Sequence, residues 1–233
     1  MRPLASQPSL TAQVYDVILS EIIAGRLTDN PRLIQDDLAK TLGVSRQPVQ
    51  QALLLLRNQG FLRDAPGRGL VVAPIEPEFV RNLFELRAVT EALACRLAAE
   101  RGSQDAAKFG PKLIDEGRKA EREGSVAKLI AADMRFHEFL YEISGNRLIK
   151  ETMLPYWAHL RRLMGEVLLK DETPRKIWDQ HEAILQAIIR GDGAKAEELA
   201  RAHITKAVQV FITRLENAQD PRPDAAFVVQ GRR

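Results

Sequence analysis

The apolar positions of this chain fall almost everywhere on a helical period. Between Leu10 and Arg26 they are Val14, Val17, Ile18 and Ile22, the spacing of one helix face, and Gly25 is placed to end it. After the loop "RLTDNPRL" come "IQDDLAKTLGV" and "SRQPVQQALLLLRNQGFL". The first reads as a short helix closing near Gly43. The second starts with Ser45 as N-cap and holds Pro48 in its first turn, where a missing N–H does no harm. It buries Leu53 and Leu56 and stops at Gly60. "FLRDAPGRGLVVAPI" breaks the period: two short apolar runs flank "APGRG", the punctuation of a hairpin. Pro74 and Pro77 mark a boundary. Beyond it the pattern is helical over 78–101, 104–123, 126–144, 147–170, 174–190 and 194–217, with breaks at "RGSQD", "REGS", "SGN", "KDETP" and "RGDG". Pro111 and Pro155 fall inside two of these stretches and are expected to kink or shorten them. The chain is thus mainly α. Three helices and a small β-hairpin occupy 8–74. An antiparallel all-α bundle of about six helices occupies 78–217, and 218–233 reads as a flexible tail.

Helix, helix, the four-residue turn "LGVS", helix, then hairpin is the order of a winged helix-turn-helix. The helix opening at Ser45 would then face DNA. Its first turns carry Ser45, Arg46, Gln47, Gln50 and Gln51, donors and acceptors suited to base edges and phosphates. Arg can chelate guanine O6 and N7, and Gln adenine N6 and N7. Arg68 stands at the hairpin tip between Gly67 and Gly69, where glycine lets the backbone approach a phosphate or a minor groove. The other use of such a module is protein contact in a larger assembly. Charge does not decide between them. The net is +3, and up to Ile75 eight Arg/Lys stand against six Asp/Glu, so only the arrangement is informative.

"LAKTLGVSRQPVQQALLLLRNQGFL" followed by "PGRGLVV" resembles the GntR family of bacterial transcription regulators. The family pattern is LA-x-x-LGVSR-x-PVR-x-AL, then a leucine-rich stretch, a Gly turn and a wing ending RG-x-x-V. The likeness runs from about Leu10 to Val72. One position departs from it: the family Arg after "PV" is Gln50 here, which removes a phosphate or guanine contact and alters what the helix can read. The resemblance implies a homodimer on an approximately palindromic double-stranded operator, read by Ser45, Arg46, Gln47, Gln50, Arg68 and Gly69.

In the helical region "AADMRFHEFLYEISGN" aims an acid and an imidazole at its own apolar face. Asp133 and His137 lie four apart, with Ile130, Phe136 and Leu140 around them. A buried charge is costly unless paired or bound to a metal, so this is a buried Asp–His pair or half of a metal site. His181 shares a face with Ile184, Leu185 and Ile188, and His203 with Leu199, Ala207 and Val210. One core histidine is ordinary hydrogen-bonded structure. Three with a core aspartate form a donor set that suits zinc, nickel, iron or manganese.

"LFELRAVTEALACRLAAE", "DMRFHEFLYEISGN", "HEAILQAIIRGD" and "RAHI" resemble the FadR-type C-terminal effector domain of one GntR subfamily, which carries the likeness to about Leu215. Metal-binding members of it use D-x-x-x-H, a His in the next-to-last helix and one in the last. Those positions are Asp133, His137, His181 and His203 here. The resemblance implies a divalent ion at the bottom of a cavity, with a small organic acid above it as effector. Arg87 is the first candidate to meet that acid, unless it is a surface residue paired with Glu91. Asn146 either caps its helix or touches effector. His159 and Arg162 sit on a kinked helix that could line the cavity.

The remaining features narrow the class. No apolar run approaches the roughly 20 residues of a spanning helix, and the N-terminus lacks a signal-peptide core, so no membrane partner is expected. A single cysteine, Cys95, rules out an internal disulfide framework. Together these point to the cytoplasm. A metal-dependent enzyme acting on small organic acids is the alternative to a repressor-like regulator. It would need a general base by the metal-bound water, and Glu138 and Glu182 flank ligands in sequence and so point away from them. An enzyme is therefore not expected.

Overall fold

The computed structural model describes residues 9–27, 32–168 and 175–219. The tail from 220 onward and the "KDETP" break lie outside the described residues. The helices are α1 Leu10–Ile23, α2 Gln35–Leu42, α3 Arg46–Asn58, α4 Pro77–Arg101, α5 Ser103–Arg122, α6 Val126–Ile143, α7 Arg147–Met153, α8 Trp157–Leu168, α9 Arg175–Ile189 and α10 Gly193–Gln219. Two strands, β1 Leu62–Asp64 and β2 Leu70–Val72, pair antiparallel with Leu62 opposite Val72 and Asp64 opposite Leu70. This is the expected architecture, a winged helix-turn-helix and a helical C-terminal region. No described helix is long and apolar enough to cross a membrane.

The described residues form two compact units that interleave in sequence. One holds residues up to 74 with 116–135 and 151–168, the other 75–115, 136–150 and 175–219. In the first, α1, α2 and α3 close on Val14, Ile18, Ile22, Ala39, Val49, Ala52, Leu53, Leu56, Phe61 and Leu62, all buried. Each large member stabilises by about 1.5–3 kcal/mol relative to exposure. The α2–α3 turn depends on Gly43, whose φ of 65° is left-handed and closes α2 through its N–H to the Lys40 carbonyl. Leu33 pairs with Leu70 as an isolated bridge and seats the hairpin on the module.

In the second unit α4 and α10 run antiparallel: Arg81 pairs with Glu216 at one end and Arg96 with Glu197 at the other. Gly102 closes α4, and a Cβ there would run into the Ile143 carbonyl, so glycine fixes how the end of α6 meets the α4–α5 corner.

The two prolines behave differently. Pro155 divides its stretch as expected, into α7, a 3-10 turn at Leu154–Tyr156 and α8. Pro111 does not interrupt α5. The carbonyl it leaves unbonded belongs to Ala107, and both residues are exposed, so water can take the lost bond.

Candidate functional site

Three histidines from three helices of the second unit meet in its core. α6 supplies His137, α9 His181 and α10 His203, each buried on the apolar stripe of its helix. One ring nitrogen of each lies within 4.8 Å of the others, and among the described residues these three form the group able to share an ion. The walls are aromatic. His181 stacks on Phe136 at 4.5 Å between centroids and takes the Trp178 ring edge-on at 4.8 Å.

The polar contacts around the rings orient them. His137 Nδ1 lies 2.6 Å from Glu91 Oε2 as an ion pair. His203 donates from Nδ1 to Gln180 Oε1 at 2.8 Å, and its Nε2 then accepts from His181 Nε2 at 3.2 Å. Two imidazole ligands of a tetrahedral ion with bonds of 2.0–2.1 Å stand about 3.3 Å apart, so once the proton on His181 Nε2 moves to its other nitrogen the His181–His203 pair has the spacing of cis ligands. The carboxylate behind His137 and the amide behind His203 are the kind of partners that orient metal-ligating histidines. Burial keeps His181 well below its ordinary pKa, assisted by the charges of His203, His137 and Arg87. It pushes His203 down to about 3, with His137 and Arg87 adding to the shift. Both rings are therefore neutral near pH 7, the form that binds metal. The donor set fits a divalent ion.

Glu91 was not anticipated as part of this site. It reads in sequence as the i+4 partner of a surface Arg87, but both side chains are buried, at 2% and 5% exposure. Arg87 Nε and the Tyr141 hydroxyl donate to Glu91 Oε1, and His137 forms an ion pair with Oε2. Burial alone would raise this carboxyl. The charges and hydrogen bonds of Arg87 and His137 outweigh it and hold Glu91 well below the usual carboxylate range. The signal was present: Glu91 shares the apolar stripe of α4 with Phe84, Ala92 and Cys95.

The other expected residues divide. Asp133 is buried one helical turn before His137 on α6. Asn146 opens α7, its Oδ1 accepting from the Leu148 N–H at 3.2 Å, so its visible work is capping. His159 and Arg162, expected to line an effector cavity, are engaged instead with the winged helix. His159 stacks flat on Phe61 at 4.0 Å and donates from Nε2 to the Gln59 carbonyl at 2.9 Å. Arg162 donates to the Ala73 carbonyl at 2.8 Å. α8 belongs to the same compact unit as α1–α3, which is why those side chains are spent there.

On the winged helix, Ser45, Arg46, Gln47, Gln50 and Gln51 are all exposed on the first turns of α3. Ser45 is the N-cap, but its hydroxyl makes no capping bond. Gln51 accepts from Thr11 on α1 at 2.8 Å. Arg68 projects from the hairpin tip. Gly69, with φ of 95°, packs where a Cβ would sit 3.2 Å from the Leu33 carbonyl oxygen, so the wing needs glycine there.

Residues 10–72 match the family model described as "Bacterial regulatory proteins, gntR family", and residues 82–206 that described as "FCD domain". The chain is 25% identical over 195 residues to the uncharacterized HTH-type transcriptional regulator YdhC of Bacillus subtilis (strain 168), covering 82% of this chain and 84% of that protein. It is 28% identical over 194 residues to the HTH-type transcriptional regulator LutR of the same organism, covering 75% and 88%. Among solved structures, E. coli McbR/YncC matches with a TM-score of 0.69 at 24% identity, over 92% of this chain and 100% of that one. A putative transcriptional regulator GntR from Rhodococcus sp. RHA1 matches with a TM-score of 0.72 at 21% identity, over 88% and 99%. At these identities the structural likeness speaks for the fold alone.

Proposed function

The chain belongs to the GntR family of bacterial regulatory proteins and carries an FCD domain, and from that premise we propose that it is a regulator whose DNA affinity depends on a metal ion and a small organic acid. It is a DNA-binding transcription regulator and not an enzyme. Residues 8–74 read an approximately palindromic operator as a homodimer in the cytoplasm, and 78–217 sense the acid. The observation that carries this reading is the trio His137, His181 and His203, three buried imidazoles from three helices with converging nitrogens.

These three would hold the ion, zinc, nickel, manganese or iron, with Asp133 as the fourth ligand from the turn before His137. Asp133 is favoured by its burial and by the i, i+4 spacing that keeps it on the same side of α6. A bound ion would supply positive charge and open coordination positions for a carboxylate. Arg87, tied to the same network through Glu91, is the cation to meet the other end of the acid. Arg46, Gln47, Gln50, Ser45, Arg68 and Gly69 form the DNA face.

An effector shifts DNA affinity only through a difference in its affinity for two conformations. The acid draws α4 toward the helices that hold the ion, and α4 begins three residues after Pro74. Operator affinity should therefore fall, by a coupling of about 1–3 kcal/mol, as for a repressor released by its ligand. The test titrates mono-, di- and tricarboxylates into metal-loaded and chelator-stripped protein by thermal shift, then repeats operator binding with each hit. An acid that stabilises the loaded protein alone and weakens operator binding supports the reading. Acids that stabilise neither form, or a hit without effect on the operator, contradict it.

A further inference from the structure

The two arginines expected to meet DNA share one carboxylate. Asp36, in the first turn of α2, lies with Oδ1 3.0 Å from Arg46 Nε on the recognition helix and with Oδ2 3.6 Å from Arg68 on the wing. The Gln35 side chain beside it donates to the Arg46 carbonyl at 2.9 Å, so the start of α2 is pinned against the start of α3. The arginine side chains are 71% and 79% exposed and Asp36 is 30% exposed. A pair this exposed contributes little to stability, since solvent screens it and ordering two long side chains costs entropy. An acid on a surface built to approach phosphates is a liability for affinity. Its place has to be explained by what it does to the arginines.

We propose that Asp36 is a specificity-determining residue of the DNA interface. Its contact is to Arg46 Nε, the inner nitrogen of the guanidinium. That contact leaves the two terminal nitrogens unengaged by Asp36, as the edge that chelates guanine O6 and N7. On a correct base pair Arg46 keeps Asp36 and gains the base. On any other sequence a phosphate must draw Arg46 or Arg68 away from Asp36, and the carboxylate repels that phosphate. Asp36 therefore weakens sequence-independent binding while costing correct readout little. The proposal rests on α3 and the wing facing DNA.

The experiment compares wild type with Asp36→Asn, which keeps size and polarity but removes the charge. The probes are the duplex recovered by selection from a randomised library and a scrambled duplex of the same composition. Anisotropy titrations run from about 50 to 200 mM salt, the range over which phosphate contacts are titrated out. Asp36→Asn should bind the scrambled duplex about three- to tenfold more tightly at low salt. Its log–log salt slope should steepen by about 0.9, one added phosphate contact. Its preference for the selected duplex should fall by the same factor, about three- to tenfold. An unchanged preference and salt slope would overturn the proposal. So would equal weakening on both duplexes with a lowered melting temperature, which would make Asp36 a structural residue. Arg46→Ala separates the premise: if it too keeps wild-type preference, the assignment of the DNA face fails, whereas lost preference there with none lost in Asp36→Asn fails the role of Asp36 alone.

Discussion

Replacing Glu91 by Gln should unsettle the C-terminal unit far more than the loss of a surface ion pair would. The change keeps the shape and one acceptor oxygen, but puts an amide NH2 where the second oxygen stood and removes the charge facing Arg87. Both partners are almost fully buried, so no solvent screening discounts the effect. Breaking a buried pair by removing one partner costs about 3–5 kcal/mol, because the other charge stays desolvated. Removing the second charge as well, in Arg87→Met with Glu91→Gln, should recover about 2 kcal/mol or more of that loss, since a neutral pair in a dry site carries little penalty. The assay is urea unfolding of the chelator-stripped protein, with midpoints compared at equal slope. A Glu91→Gln loss below about 1 kcal/mol, or a double variant as unstable as the sum of the two singles, would refute the idea that a charge-balanced network underlies the histidines.

Acidification should destabilise the metal-free protein in a defined window. The unfolded chain protonates its histidines near pH 6.5, whereas burial holds His203 down to about 3 and His181 well below its ordinary value, so the unfolded state binds more protons as the pH falls below about 6.5. Stability is full above that pH, and His203 alone should remove about 2 kcal/mol between pH 7 and pH 5, measured by unfolding at each pH; a flat profile over that range would count against neutral buried rings. Gly102→Ala should cost about 1–3 kcal/mol, since its Cβ meets the Ile143 carbonyl and comes within 2.8 Å of the Ile143 Cβ, and thermal unfolding within experimental error of wild type would show that the α4–α5 corner can give.

What the sequence disclosed follows from what periodicity can see. α3 and its exposed row from Ser45 to Gln51 were legible because turn residues bracket them and their polar positions interrupt an apolar face. The three histidines were legible for the same reason, each breaking a stripe of Ile, Leu or Ala. Glu91 was not, because an Arg and a Glu four apart are the commonest surface pair on a helix and only packing shows that this pair lies inside. His159 and Arg162 sit on an amphipathic helix, and no pattern along α8 tells which element will cover its apolar side. The continuity of α5 through Pro111 turns on the exposure of one carbonyl, a tertiary property. Asp36 is a favourable acid in a first helical turn, and nothing along the chain marks it further. Its position between Arg46 and Arg68 joins residues brought together by the turn and the wing.

The central claim is that His137, His181 and His203 are a metal site, and calorimetric titration of zinc, nickel and manganese into chelator-stripped protein tests it most directly. One ion per chain should bind to the wild type. His181→Ala and His203→Ala should each lose that binding while keeping the helical circular dichroism of the parent. Wild-type protein that takes up none of the three ions, or variants that bind them as well as the parent does, would reduce the trio to a hydrogen-bonded polar core and remove the ion from the regulator.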